Sequence, residues 1–443
     1  MRIMIMGTGY VGLTVGVGFA ELGNEVICYD KDKEKIQRLQ KGYLPIFEEK
    51  MAEMLQKNKH SVLFTDDLLS ATDQISVIIM AIGTPSKDDG GADTTDLFWA
   101  AEQLGRVLTK PILVINKSTA PPGTTYELQM RLNQAIQLRG LNFHCRVIFN
   151  PEFLREGQAL RDFFQPDRIV LGIDGNREMP EVQALFAPFE EQHTPIIYTQ
   201  TRTAELLKYV NNVVAALKVS FINEVANICE QESVNVWELI GILAYDKRIS
   251  PQYLSPGIGF GGSCLPKDTQ ALEWIAKKAH VTTGLIDQIL ITNHRQIEMT
   301  VDTIQTAYPK GQLAILGTAF KAGTNDTRES PSIHVIKALA RTGNYTLHLF
   351  DPQALEETRK CLWKYSGYVR YFTDVYEACR GSGAAAVLTN WPQFGQLNLG
   401  KLKDCMSRPL ILDFHNVVGK TKLKTNGFCY YVRGDNTTEA KND

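Results

Sequence analysis

The chain has 443 residues, enough for two or three domains with sizeable cores. With 44% hydrophobic and 22% charged residues, and 47 basic against 49 acidic side chains, it has neither the signature of a disordered segment nor the basic excess of a general nucleic-acid binder. Eight scattered cysteines, with no C-x-x-C pair and no Cys/His cluster at zinc spacing, point to a reducing, cytoplasmic setting and to no metal centre.

In chain order, Ile3 to Met6 predicts a first strand, followed by glycines at 7, 9, 12, 16 and 18. Those glycines break the N-terminal apolar stretch, so it does not read as a secretory signal. No uninterrupted apolar run elsewhere reaches the ~18 residues of a membrane span. Glu25 to Tyr29, Ile75 to Ile82, Ile112 to Ile115 and Val147 to Phe149 predict further strands alternating with helix-like stretches, the pattern of βαβ units around a parallel sheet. From Thr203 to about Glu232, apolar residues at 206, 210, 213, 214, 217, 221, 225 and 228 predict one long amphipathic helix. After about residue 300 the first pattern returns: Leu313 to Leu316, a helix near Ser332 to Arg341, Thr346 to Phe350, Ala384 to Leu388 and Leu410 to Leu412. The expectation is an α/β protein of two open parallel-sheet domains, 1–200 and 301–434, joined by the long helix and a small helical segment within 201–300. A polar tail, 435–443, follows.

Gly7-x-Gly9-x-x-Gly12 follows a predicted strand and opens a helix, and Glu25-Val-Ile-Cys-Tyr-Asp30 ends the second strand on an acid. This is the context of a Rossmann-like dinucleotide site: backbone amides approach a pyrophosphate, and the Asp30 carboxylate takes a ribose diol and repels a 2′-phosphate. NAD is therefore expected over NADP, despite Lys31 and Lys33 close by. Thr84, Thr119 and Glu152 each sit just past an apolar strand, at the edge where open sheets bind ligands; for the threonines, ordinary loop bracing is the competing reading. On the long helix Lys208, Asn212 and Asn223 project within about 60° of arc, while Lys218 points elsewhere. That stripe is either a ligand surface or the wet side of the helix.

Pro256-Gly-Ile-Gly-Phe-Gly261-Gly-Ser-Cys264-Leu-Pro-Lys-Asp268 packs four glycines ahead of a cysteine at a helix start, where a backbone can pass close to a ligand and a thiolate is favoured. The turn after Leu313 to Leu316 offers Lys321 and Arg328, either cations for phosphate oxygens or one salt-bridged loop.

Gly7-Thr-Gly-Tyr-Val-Gly12, Lys117-Ser-Thr119, Asn150-Pro-Glu152-Phe-Leu-Arg-Glu156-Gly, the helix around Lys208 and Asn212, Gly261-Gly-Ser-Cys264-Leu-Pro-Lys-Asp268, and Phe320-Lys321 through Arg328-Glu-Ser-Pro together resemble the UDP-glucose/GDP-mannose dehydrogenases, in family order over roughly residues 1–416. The resemblance is nearest to the UDP-glucose branch. It implies oxidation of a sugar C6 alcohol to a carboxylate with two NAD+, through an aldehyde and a thioester on Cys264. By matching position it implies that Lys208 stabilises oxyanion character, Asp268 moves protons through water, and Thr119 and Asn212 order water and substrate. Glu152 would serve thioester hydrolysis. Gly7, Gly9, Tyr10, Val11, Gly12, Asp30, Thr84, Thr119 and Glu156 would hold NAD. Glu152, Phe153, Leu154, Lys208, Asn212, Gly261, Phe320 and Lys321 would hold the sugar nucleotide, with Arg248 reaching in from the second subunit of a homodimer.

Neither nucleic acid nor membrane enters this picture. Two departures stand out: Asp413-Phe-His415-Asn replaces the usual Asp-Gly-Arg-Asn, removing an arginine contact to the sugar diphosphate, and Ser250 replaces a usual glycine. GDP-mannose as substrate stays open as an alternative. So does a non-catalytic protein that binds NAD and a sugar nucleotide, although Cys264, Lys208 and Asp268 together argue against it.

Overall fold

Ile3, Met4, Ile5 and Met6 carry apolar side chains at consecutive positions, and a strand built from them must bury both faces. A computed structural model, describing residues 1–435, meets that demand. Ile3 and Ile5 enter one core with Leu13, Val15 and Phe19, and Met4 and Met6 enter another with Ala100, Leu104 and Leu128. The strands of this sheet are β1 (Arg2–Met6), β2 (Glu25–Tyr29), β3 (Val62–Thr65), β4 (Val77–Met80), β5 (Leu113–Asn116), β6 (Arg146–Phe149), β7 (Ile169–Gly172) and β8 (Ile196–Thr199). Their order is β3-β2-β1-β4-β5-β6-β7-β8. The sheet is parallel except where β7 joins β6 antiparallel through one pair, Phe149 opposite Gly172.

The second sheet comprises β9 (Gly311–Leu316), β10 (Tyr345–Phe350), β11 (Val369–Phe372), β12 (Ala384–Val387), β13 (Leu410–Asp413) and β14 (Cys429–Val432), in the order β11-β10-β9-β12-β13-β14 and parallel throughout. Leu313 and Ile315 face one core, Ala314 and Leu316 the other. Both sheets are thus doubly wound, with one strand order over six strands. The strands β3, β7, β8, β11 and β14, each four residues long, have no counterpart among the strands expected from the sequence.

The chain divides into two compact units. Met1–Asn211 with Gln270–His280 forms the first, and Asn212–Thr269 with the described residues from Val281 onward forms the second. The long helix, Thr201–Glu232, belongs in part to each. It has the length and composition to cross a membrane, contrary to the count of unbroken apolar runs, but half of its most apolar stretch is buried inside the protein. Asp435, the first residue of the expected polar tail, is tied down together with Gly434 before it. The Gly434 N–H donates to Glu230 at 2.7 Å, its carbonyl accepts from Val236, and Asp435 pairs with Lys420 at 3.0 Å. The rest of the expected tail lies outside the described residues.

Candidate active site

In the first unit, β1 runs into a turn whose glycines have separate tasks. Gly7 has φ +103°, and a Cβ at Gly12 would lie 1.9 Å from the Gly7 carbonyl oxygen, so only glycine lets the helix Tyr10–Glu21 start so close to the strand. At Gly9 nothing lies within 4 Å of a Cβ position, and no side chain caps that helix. Open space beside uncapped helix N–H groups fits a dinucleotide pyrophosphate. Val11 packs toward the core beneath.

Asp30, 8% exposed, accepts from the Thr8 N–H at 2.9 Å, the Thr8 hydroxyl at 2.7 Å, the Asp32 N–H and the Lys35 ammonium at 2.7 Å. Burial works against its charge, yet Lys35 and these donors outweigh it and hold the carboxyl below its usual range. Lys35 is thus the lysine that matters here; Lys31 pairs with Asp96 instead. Tyr10 spends its hydroxyl on protein: it donates to Glu48 and accepts the Gly157 N–H, bracing the segment that carries half-buried Glu156.

At the carboxyl edge of the same sheet, Thr84 donates to the Thr119 carbonyl at 2.6 Å and so braces the loop. Thr119 itself keeps a partly exposed side chain. Lys208, 3% exposed, pairs with Glu152 Oε1 at 2.7 Å, and Glu152 Oε2 accepts the Leu154 N–H at 2.8 Å. Burial favours the neutral acid, but Lys208, Leu154 and Lys117 prevail and keep Glu152 ionised below the usual carboxylate range. The Phe153 ring lies under both Arg168 and Lys208, with cation-to-centroid distances of 4.2 and 5.8 Å. Sequence reasoning missed Glu205, one turn before Lys208. It accepts the Gly123 and Thr125 N–H groups at 2.5 and 2.7 Å and so ties the long helix to the start of the helix Thr124–Gln137.

In the second unit, Cys264 immediately precedes the helix Leu265–Lys278, and its carbonyl accepts the Asp268 N–H, which puts the sulfur at the positive end of that helix. Asp268 is 1% exposed. Its Oδ2 accepts from Asn212 Nδ2 at 2.6 Å and its Oδ1 from Lys267 at 2.5 Å. Asn223 Oδ1 accepts the Gly257 N–H, while Lys218 turns away to the Ser250 carbonyl. The polar stripe is therefore buried and engaged, not the wet side of the helix.

Protein packing by itself demands the glycines before Cys264. A Cβ at Gly257 would strike His415, one at Gly259 Asn293, one at Gly261 the Glu329 carbonyl at 2.1 Å, and one at Gly262 the Phe320 ring. Two residues with no role in the sequence reading hold this loop. Asn293 both accepts from the Phe260 N–H and donates to its carbonyl, and Gln296 donates to the Gly257 carbonyl at 2.9 Å. Their signal was available: amides on the face of the helix Gly284–Ala307 that otherwise carries Ile289, Ile297 and Ile304 into the core.

Arg328 is forked on Asp326, as the salt-bridged-loop reading expects. Lys321 lies over Phe320 at 5.5 Å. Arg248, 88% exposed at its side chain, is forked on Asp246. His415 Nε2 donates to the Leu388 carbonyl at 3.1 Å, and burial above all lowers the imidazole to about 4, so it is neutral.

Three models of the UDP-glucose/GDP-mannose dehydrogenase family match the chain: its NAD binding domain over residues 1–190, its central domain over 202–295 and its UDP binding domain over 314–420. The chain is 38% identical to UDP-glucose 6-dehydrogenase TuaD of Bacillus subtilis, covering 98% of this chain and 93% of that protein. It is 37% identical to UDP-glucose 6-dehydrogenase of Rhizobium meliloti, covering 97% and 98%. Among solved structures, a UDP-glucose dehydrogenase from the archaeon Pyrobaculum islandicum superposes with a TM-score of 0.85 at 32% identity, over 95% of each chain. The chain belongs to the UDP-glucose/GDP-mannose dehydrogenase family, and NAD is its cofactor.

Proposed function

We propose that this chain is a UDP-glucose 6-dehydrogenase, oxidising the C6 alcohol of UDP-glucose to the carboxylate of UDP-glucuronate with two NAD+ and one water. The names and full-length coverage of its relatives support the substrate. One arrangement carries the chemistry: Cys264 at the positive end of its helix, with Asp268 buried one turn on and both its oxygens engaged.

NAD+, when bound, accepts the hydride. Gly9 and the first turn of the helix Tyr10–Glu21 hold its pyrophosphate, Asp30 its ribose, and Glu156 and Thr119 the region toward the sugar. Lys208 stabilises negative charge on the C6 oxygen. The Cys264 thiolate adds to the aldehyde, loss of the second hydride leaves a thioester, and water cleaves it, returning the thiol. Glu152, ionised beside Lys208, accepts the proton of that water, while Asp268 relays protons through water ordered by Asn212 and Thr119. Phe153, Leu154, Gly261, Phe320 and Lys321 line the sugar nucleotide. The cytoplasm is the setting that keeps Cys264 reduced.

The second unit exposes Val214, Phe221 and Ile228, seven residues apart on the long helix, together with Ile242 and Tyr245. We propose that a second copy covers this apolar stripe and that the exposed Arg248 reaches the partner's sugar site.

The test counts NADH per sugar consumed with UDP-glucose and then GDP-mannose. Two NADH per UDP-glucose is expected; one means arrest at the aldehyde, and none overturns the reading. Cys264→Ala should abolish acid formation while NAD affinity stays within about twofold.

A further inference from the structure

Lys117 follows β5 directly, and the proposed reaction gives it no step of its own. Its Nζ donates to Asn150 Oδ1 at 2.7 Å, an acceptor fixed in turn because Asn150 Nδ2 donates to the Val170 carbonyl at 2.8 Å. Two residues beyond Asn150, Glu152 is shared between Lys208 and the Leu154 N–H. The charged groups facing Lys117 are therefore Glu152, from the loop after β6, and Lys208, from the long helix.

Two ammoniums against one carboxylate leave a positive charge uncompensated in a largely shielded place, and that is costly. Lys208 holds the carboxylate directly, whereas Lys117 rests on a neutral amide. The proton cheaper to lose is that of Lys117. Burial pushes its ammonium down most, Glu152 opposes, Lys208 adds to the push, and the group settles at about 8.

We propose that Lys117 is a positioning residue acting through the Glu152–Lys208 pair: as an ammonium it keeps Glu152 ionised and eases proton loss from Lys208, and as a neutral amine it withdraws both effects. Its proton passes to water. The neutral amine still has an N–H for Asn150, so charge changes while the loop stays in place. The inference rests on the reading of Glu152 and Lys208 given under the proposed function.

Two measurements test it. In the first, acetic anhydride labelling of the native protein is followed against pH by peptide mass spectrometry, which needs no activity. Lys117 should show a midpoint near 8, lower still in Glu152→Gln, and the Lys208 midpoint should rise in Lys117→Met. A Lys117 midpoint near the ordinary lysine value of about 10.4, or a Lys208 midpoint unmoved in Lys117→Met, overturns the proposal.

The second compares kcat against pH, with NAD+ and UDP-glucose, in the native enzyme, Lys117→Arg (fixed charge) and Lys117→Met (none). The native ionisation should vanish in both variants, leaving plateaus about fivefold or more apart. Both variants keeping that ionisation, or both falling to one plateau with only KM raised, also overturns it. A native enzyme inactive toward UDP-glucose defeats the functional reading alone, and the labelling then decides this one.

Discussion

The two sheets share a strand order and then part company just past the first strand of each. In the first unit β1 reaches its helix through Gly7 to Gly9, whereas in the second β9 is followed by a long turn, and the next helix starts only at Pro331. Both place an acid after the second strand of the fold, Asp30 after β2 and Asp351 after β10. Asp351 receives N–H groups from Thr318 (2.7 Å), Ala319 (3.0 Å), Gln353 (2.9 Å) and Ala354 (2.8 Å), and the indole of Trp391 at 3.2 Å. A carboxylate has about four lone-pair sites, so Asp351 is full. Asp30 also accepts from four donors, but one of them, Lys35, comes on a long side chain that can swing away and yield to ribose hydroxyls. The same acid at the same place can yield a donor to a ligand in one unit and is the scaffold of a long turn in the other.

That contrast is broken most severely by exchanging the acids for amides. Asn at position 351 would set NH2 hydrogens against backbone donors, so Asp351→Asn should destabilise the second unit by on the order of 4 kcal/mol in urea unfolding and leave the NAD KM unchanged. Asp30→Asn should raise the NAD KM by about 10- to 100-fold with a smaller loss of stability than Asp351→Asn, since Lys35 can turn to solvent. Equal stability losses in the two variants would erase the distinction.

A second contrast stands at the fifth strand. Lys117 follows β5 and His415 follows β13, and burial depresses both bases. With a folded value of about 4 against ~6.5 unfolded, His415 contributes stability that is complete above pH 6.5 and lost as pH falls toward 4, about 3 kcal/mol at most. His415→Gln, which keeps a donor for the Leu388 carbonyl, should shrink the drop in unfolding midpoint between pH 7 and 4.5. An undiminished drop would move the acid sensitivity elsewhere, to buried carboxylates such as Glu152 that are held ionised.

What was legible in the sequence followed periodicity and motif. Unbroken apolar runs marked β1, β4 and β9, spacing by three and four marked the long helix, and glycine context marked the turn before Tyr10. Lys208, Asn212, Glu152 and Asp268 were each legible, but the pairing of Lys208 with Glu152 and of Asn212 with Asp268 was not, because contacts across long sequence separations leave no local signature. Asn293 and Gln296 stayed hidden for a related reason: a buried amide on an otherwise apolar face looks like a break in a pattern until the loop it grips is in place. The glycines before Cys264 carried a signal with a second sufficient cause, since crowding by His415, Glu329 and Phe320 demands glycine as firmly as a ligand would.

The smallest expected effect separates these two causes within the first unit. Gly9 has φ −78° and ψ −167°, extended backbone that alanine adopts without strain, and its Cβ position is empty to 4 Å. Gly9→Ala should therefore fold with stability within about 0.5 kcal/mol of the native chain, while the new methyl stands where a pyrophosphate must approach and raises the NAD KM by about tenfold. Gly12→Ala meets the Gly7 carbonyl oxygen 1.9 Å away and should lose stability before any question of binding arises. A Gly9→Ala protein with unchanged NAD KM would mean that the open space over that turn is not the cofactor's path, and Asp30 alone would then have to locate it.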